Sequence, residues 1–190
     1  MPRSPNAPSQ RNSSSACSDA GHLLLHRLMR LDLRAPAAED TRAIGEGLAP
    51  LLVPGDAIAL TGELGAGKTT LVQGLARGLG FAGHVQSPTF TLVREYRSGR
   101  LPIVHADVYR LERVQDVVDL SLEESAEDGV LLVEWGDVVE ALLPAGHLVV
   151  ELTVPEPGDE RSVRVVGEGD AWLPRWERLE RALDPWRVAA

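Results

Sequence analysis

Apolar and charged residues alternate over positions 29–34, the period of a half-buried strand. Residues 37–52 read as a helix, with Asp40 or Thr41 near its start, and Pro54-Gly55-Asp56 as the turn that follows. Positions 57–61 form a short apolar strand, and 68–79 a helix ended by Gly80. A loop is expected over 83–89. Two strands over 90–96 and 101–109, joined at Ser98-Gly99, predict a hairpin. The polar stretch 116–128 carries one short helix, and the apolar run 130–133 is short enough for a buried strand. A short helix over 138–143 stops at Pro144. Positions 148–154 and 161–166 predict a last antiparallel pair. A helix over 171–188, interrupted at Pro174 and Pro185, closes the chain. No internal repeat is visible.

Composition narrows this little. At 190 residues the chain suits one domain with some tail, and 44% hydrophobic with 25% charged residues is ordinary for a globular protein. Aromatics make up only 4%, so Leu, Val, Ala and Ile must fill the core. Residues 1–21 are rich in Ser, Pro, Asn and Arg and read as disordered, and 22–30 as a short amphipathic turn. The expected boundaries are a disordered extension over 1–29, a domain over 30–168 and a helical extension over 169–190.

Charge excludes more. A net charge of −9 makes the chain a poor solitary binder of nucleic acid, which needs clustered Lys and Arg. A nucleic-acid pathway in which a partner holds the RNA stays open. Cys17 is the sole cysteine, so no intramolecular disulfide or cysteine metal site is possible, which fits a reducing cytosol. No apolar stretch precedes Ser15-Ala16-Cys17 as a lipoprotein signal would need, and no run reaches the ~18 apolar residues of a membrane span. A cytoplasmic protein without membrane contact is expected.

The chemistry lies at Gly62-Glu63-Leu64-Gly65-Ala66-Gly67-Lys68-Thr69, which matches G-x-x-x-x-G-K-[ST] between an apolar strand and a helix. The glycines let backbone N–H groups turn inward onto phosphate oxygens, and the helix adds its positive end. Of 19 Lys and Arg residues, Lys68 is the only lysine, at the one place where a planar guanidinium does not fit. Thr69 would put its hydroxyl on Mg2+. The pattern predicts ATP or a close relative as ligand.

Such a loop needs a carboxylate near the metal, at the end of a buried strand. Glu134 and Asp107 are the two candidates. A strand over 103–109 puts His105, Asp107 and Tyr109 on one face, which would point at the nucleotide. His105 alone reads more simply as a packed, hydrogen-bonded histidine, and Trp135 as packing or a nucleotide contact. Thr89, in Ser87-Pro88-Thr89-Phe90, has the place of a hydroxyl that senses the outer phosphate, though Ser-Pro-Thr is also an everyday turn.

Together these segments resemble the TsaE (YjeE) family, small bacterial ATPases of tRNA threonylcarbamoyladenosine synthesis. The resemblance rests on the Gly62–Thr70 stretch, on Val85-Gln86-Ser87-Pro88-Thr89-Phe90-Thr91-Leu92-Val93, on His105-Ala106-Asp107-Val108-Tyr109-Arg110-Leu111 and on Val133-Glu134-Trp135, in that order. It covers roughly residues 31–166. It implies an α/β fold of the P-loop NTPase type, three layers with a central mixed sheet including antiparallel strands. It implies ATP held by Gly62, Glu63, Leu64, Gly65, Ala66, Gly67, Lys68, Thr69 and Thr70, with Thr89 and Trp135 nearby and Thr41 near the base. Thr69 and Glu134 would hold Mg2+. Asp107 would orient water or support the metal, so that Lys68, Asp107 and Glu134 carry the catalysis. TsaD and TsaB are the implied partners, with tRNA reached indirectly through the complex. Gly136 departs from the family, where proline is common, and no role carries over to Arg161.

Two rivals remain. A small-molecule kinase of this class needs an Arg-bearing lid, whereas the segment after 111 is acidic. A nucleotide-gated binding module would hydrolyse ATP only incidentally. A GTP switch of the Asn-Lys-x-Asp kind needs a second lysine, which the chain lacks.

Overall fold

The structure, a computed structural model, describes residues 29–111, 116, 118, 120–155 and 158–188. The extension expected over 1–29 lies, but for Met29, outside the described residues.

Among the described residues, seven strands and four α-helices follow in order: β1 (Arg30–Ala35), α1 (Ala38–Leu48), β2 (Asp56–Thr61), α2 (Lys68–Gly78), β3 (Val93–Tyr96), β4 (Ile103–Asp107), α3 (Leu122–Ser125), β5 (Val130–Glu134), β6 (Leu148–Thr153), β7 (Arg161–Gly167) and α4 (Leu173–Leu183). One mixed sheet takes the order β1-β7-β6-β2-β5-β4-β3. Strands β6, β2, β5 and β4 run parallel to one another; β7 on one side and β3 on the other run against them, and the edge strand β1 pairs antiparallel with β7. This is the expected α/β fold with antiparallel strands beside a parallel centre.

Both faces of the central strands are covered, which is why β5 is buried at every position and reads as an unbroken apolar run. Ile58, Leu60 and Leu132 face a large cluster shared with Ile44 and Leu48 of α1, Leu71 and Leu75 of α2 and Leu179 of α4. Ala57, Val104, Leu131 and Val133 face a smaller cluster on the other side, with Leu122 and Val139. Helices α1 and α2 touch through glycine: a Cβ on Gly74 would sit 1.9 Å from Arg42 O, and one on Gly45 would sit 2.4 Å from Leu71 O. That close approach seats α2 against the sheet and fixes the loop that precedes it.

The C-terminal helix joins this core. Leu179 and Leu183 are fully buried, the Arg175 guanidinium donates to both Asp56 carboxylate oxygens at 2.5 and 2.9 Å, and Trp186 Nε1 donates to Asp40 Oδ1 at 3.1 Å.

Several element bounds differ from the sequence expectation, each for a local reason. Helix α1 stops at Leu48 and tightens into a 3-10 turn over Ala49–Leu51, because Pro50 has no N–H to continue the helix. Strand β3 begins at Val93, not at 90: the Thr91 and Leu92 N–H groups both donate to Pro88 O, and Leu92 turns left-handed at φ 63°. Where the sequence predicts a helix over 138–143, residues 136–142 form two 3-10 turns, Gly136–Val138 and Glu140–Leu142. Pro174 lies in the first turn of α4, where its missing N–H has no helical partner to lose, so it starts the helix rather than breaking it.

Candidate functional site

The loop 62–67 leaves the carboxyl end of β2 and enters α2 at Lys68. Gly62 takes φ 124°, and a Cβ there would lie 2.1 Å from Leu152 O, so neither backbone nor space admits another residue. Gly67 caps α2 in the left-handed region with no side-chain cap, which leaves the first helical N–H groups free for an anion.

Lys68 is buried at 4% exposure, and its Nζ donates to the carbonyls of Gly62 at 2.6 Å and Glu63 at 2.9 Å. The same ammonium lies 4.1 Å from the centre of the Trp135 ring. Burial pulls its pKa below the ordinary value, against the opposing pull of Glu134, Asp107 and Asp137.

Strand order brings the two acids to the same sheet end. Asp107 and Glu134 are register partners at the carboxyl ends of the parallel strands β4 and β5. Thr69 Oγ1 donates to Glu134 Oε1 at 2.6 Å, and His105 Nε2 lies 2.9 Å from the same oxygen. Asp107 accepts on Oδ2 from the Thr89 hydroxyl and on Oδ1 from the Tyr109 N–H at 3.0 Å. The loop that carries Thr89 is held from below, where Tyr96 Oη donates to Gln86 O at 3.1 Å and Gln73 Nε2 to Val85 O at 3.3 Å.

Thr69, Glu134 and His105 form one hydrogen-bonded group, Lys68 lies against Trp135, and Asp107 at the end of the adjoining strand accepts from Thr89 of the preceding turn. Glu63, Leu64 and Gly65 lie exposed on the loop, Ala66 is buried, and Thr70 is half-buried in the first turn of α2. Thr41 is buried behind the loop, its methyl 3.8 Å from where a Cβ on Gly67 would be.

One expectation is corrected. His105, Asp107 and Tyr109 do not present one face to a ligand, because β4 ends at Asp107. His105 is fully buried against Glu134, and Tyr109 leaves the strand to stack on Trp135, ring centres 4.8 Å apart. Gly136 departs from the common proline at a tight place: a Cβ would meet Ala59 at 2.7 Å.

The donors at this end of the sheet are hard oxygens, a hydroxyl and carboxylates, which suit Mg2+ more than a soft metal. Among the described residues no three or more His, Cys, Asp or Glu side chains gather as a metal cage.

One residue at the loop had no certain role from the sequence, where the Arg-rich stretch 157–164 resembles the family only loosely. Arg161, the first residue of β7, donates from Nε to Ala66 O at 2.9 Å, and its Nη2 reaches Gly65 O at 3.5 Å. An arginine opening a late strand carries no motif, and only the fold brings it here.

Residues 35–163 match the family model described as "Threonylcarbamoyl adenosine biosynthesis protein TsaE". The chain is 40% identical over 156 residues to the tRNA threonylcarbamoyladenosine biosynthesis protein TsaE of Bacillus subtilis, covering 81% of this chain and 96% of that protein. It is 44% identical to the protein of the same description from Streptomyces coelicolor, over 69% of this chain and 93% of that one. The crystal structure of YdiB from Bacillus subtilis superposes with a TM-score of 0.65 at 36% identity, covering 82% of this chain and 95% of that one.

Proposed function

This chain belongs to the TsaE family, and from that premise we propose that it is a Mg-dependent ATPase that serves tRNA threonylcarbamoyladenosine formation together with TsaD and TsaB. The observation that carries the reading is the shared oxygen of Glu134. It accepts from Thr69 in the phosphate loop's helix while His105 braces it from behind.

ATP would lie with its phosphates in the curl of 62–67, on the free N–H groups at the start of α2. Lys68 would turn from the Gly62 and Glu63 carbonyls toward the outer phosphates, its charge already desolvated. The Thr69 hydroxyl and the Glu134 carboxylate would hold Mg2+, which when bound neutralises phosphate charge as it develops. Asp107 would orient the attacking water, with Thr89 holding the carboxylate in place and close to the outer phosphate. Trp135, pinned between Lys68 and Tyr109, would close the cleft on one side. Thr41 would stand behind the loop toward the base.

Turnover by the isolated chain is expected to be slow. Arg161 is engaged by loop carbonyls and Arg110 lies over the Phe90 ring at 4.4 Å, so neither offers a free guanidinium for the transferred phosphate. The functional output would then be what the nucleotide does to a complex with TsaD and TsaB, which would hold the tRNA that this acidic chain is unsuited to hold alone. Action in the cytoplasm is part of this proposal; among the described residues no helix is long and apolar enough to cross a membrane.

The test is calorimetric titration with Mg–ATP and Mg–ADP, beside pull-downs of TsaD and TsaB with and without nucleotide. Micromolar binding lost in Lys68→Ala, and partner capture that depends on nucleotide, support the proposal. Equal affinity in wild type and Lys68→Ala sinks it.

A further inference from the structure

A phosphate-binding loop turns its N–H groups inward, so its carbonyls point outward and need partners of their own. At the base of the loop Lys68 supplies them, on Gly62 and Glu63. At the apex, among the described residues, a single side chain does. Arg161 Nε donates to Ala66 O at 2.9 Å, Nη2 reaches Gly65 O at 3.5 Å, and Nη1 donates to Gly158 O at 2.8 Å and Glu160 O at 2.9 Å. A Cβ on Gly67 would lie 3.9 Å from Arg161 Nε, so the guanidinium sits directly behind the glycine that starts α2.

We infer that Arg161 is a positioning residue that holds the apex of the phosphate loop in its ligand-ready curl, and so sets nucleotide affinity without touching the nucleotide. This rests on the ATP-binding reading above. The apex needs such a brace. Gly65 and Gly67 both take left-handed backbone angles, φ 81° and 108°, which glycine adopts freely and leaves freely. The loop's own backbone contributes one bond across this stretch, Ala66 N–H to Glu63 O at 3.1 Å. A loop that must be ordered on binding loses affinity to that ordering, and a pre-formed one does not. A planar guanidinium donates in several fixed directions at once and spans the phosphate loop and the 158–160 turn together; a lysine's compact ammonium cannot match that geometry.

The experiment compares wild type, Arg161→Ala, Arg161→Lys and Arg34→Ala. Arg34 pairs with Glu160 on the exposed side of the same turn, so its variant controls for the local surface. Loss of about one net hydrogen bond's worth of pre-organisation predicts a Kd for Mg–ATP about 10-fold higher in Arg161→Ala. KM should rise in step, kcat should stay within about twofold, and Arg161→Lys should recover only part of the affinity. The nucleotide-free melting temperature should match that of Arg34→Ala, whose affinity stays at the wild-type value. An unchanged Kd in Arg161→Ala overturns the inference. So does a fall in kcat at constant KM, or an equal loss of affinity in Arg34→Ala. A wild-type chain that binds no ATP overturns the ATPase reading and this inference with it. Wild-type binding with an unaffected Arg161→Ala overturns this inference alone.

Discussion

Thr69 Oγ1 and Glu134 Oε1, 65 residues apart in sequence, meet at 2.6 Å and join the first turn of α2 to the end of β5. A hydroxyl and a carboxylate this close can be bridged by one small divalent cation, each giving it an oxygen. Glu134→Gln keeps the shape and removes the charge. Mg-dependent hydrolysis should fall about 100-fold or more, and the Mg2+ needed for half-maximal activity should rise, while nucleotide binding in excess chelator stays near wild type. A Mg2+ titration that overlays the wild-type curve would remove Glu134 from the metal site.

Lys68 carries a stability signature as well as a binding one. Its folded pKa is depressed below the ordinary 10.5, burial being the main cause. Between the folded and unfolded values the unfolded chain holds more protons, so raising pH through that window favours the folded, nucleotide-free protein. At neutral pH the buried ammonium is a burden that ligand phosphate relieves. Lys68→Met should therefore lose ATP binding at least about 100-fold yet melt no lower than wild type without nucleotide. Urea unfolding from pH 7 to 10 should show wild-type stability gaining on that of the variant as pH rises. A gap that widens in the opposite sense contradicts the sign.

Arg175 and Asp56 form the pair that ties α4 to the start of β2, with side chains 15% and 6% exposed. The guanidinium also covers the Trp172 ring at 3.9 Å and donates to Leu51 O at 2.9 Å. Arg175→Met leaves a buried carboxylate with only the Val53 N–H and should cost about 3 kcal/mol of stability. Adding Asp56→Asn removes the stranded charge and should recover part of that loss. Denaturant midpoints measure both, and a single variant as stable as wild type means that the pair contributes nothing.

The sequence was most legible where chemistry limits the choice of residue. Gly62, Gly67, Lys68 and Thr69 sit where their pattern puts them, because few other residues tolerate those backbone angles or supply those donors. Glu134 and Asp107 were readable as strand ends, since both follow apolar runs that only a doubly covered sheet explains. What pairs across space was not readable. Nothing in the composition of residues 158–164 says that Arg161 reaches Ala66, 95 residues away. The breaks at Leu92 and after Asp107 escaped because apolar residues continue through them. There the backbone answers to the Pro88 carbonyl and the Asp107 carboxylate, not to side-chain periodicity.

A variant at Asp107 would tell a working ATPase from a nucleotide-gated binder. Its two oxygens are taken by the Thr89 hydroxyl and the Tyr109 N–H, so it is held by two segments that flank the cleft rather than by the phosphate loop. Removing it should leave the loop, Lys68 and the Thr69–Glu134 pair undisturbed. Asp107→Ala should thus bind Mg–ATP within about threefold of wild type and hydrolyse it about 100-fold or more slowly, the range for a lost water-orienting group. The decisive readout is modification of tRNA in a mixture with TsaD and TsaB. If multiple rounds stop while a single round survives, turnover resets the complex and hydrolysis is the function. If modification continues at the wild-type rate with hydrolysis gone, occupancy by nucleotide is enough, and the carboxylate at the end of β4 serves a reaction that the pathway does not need.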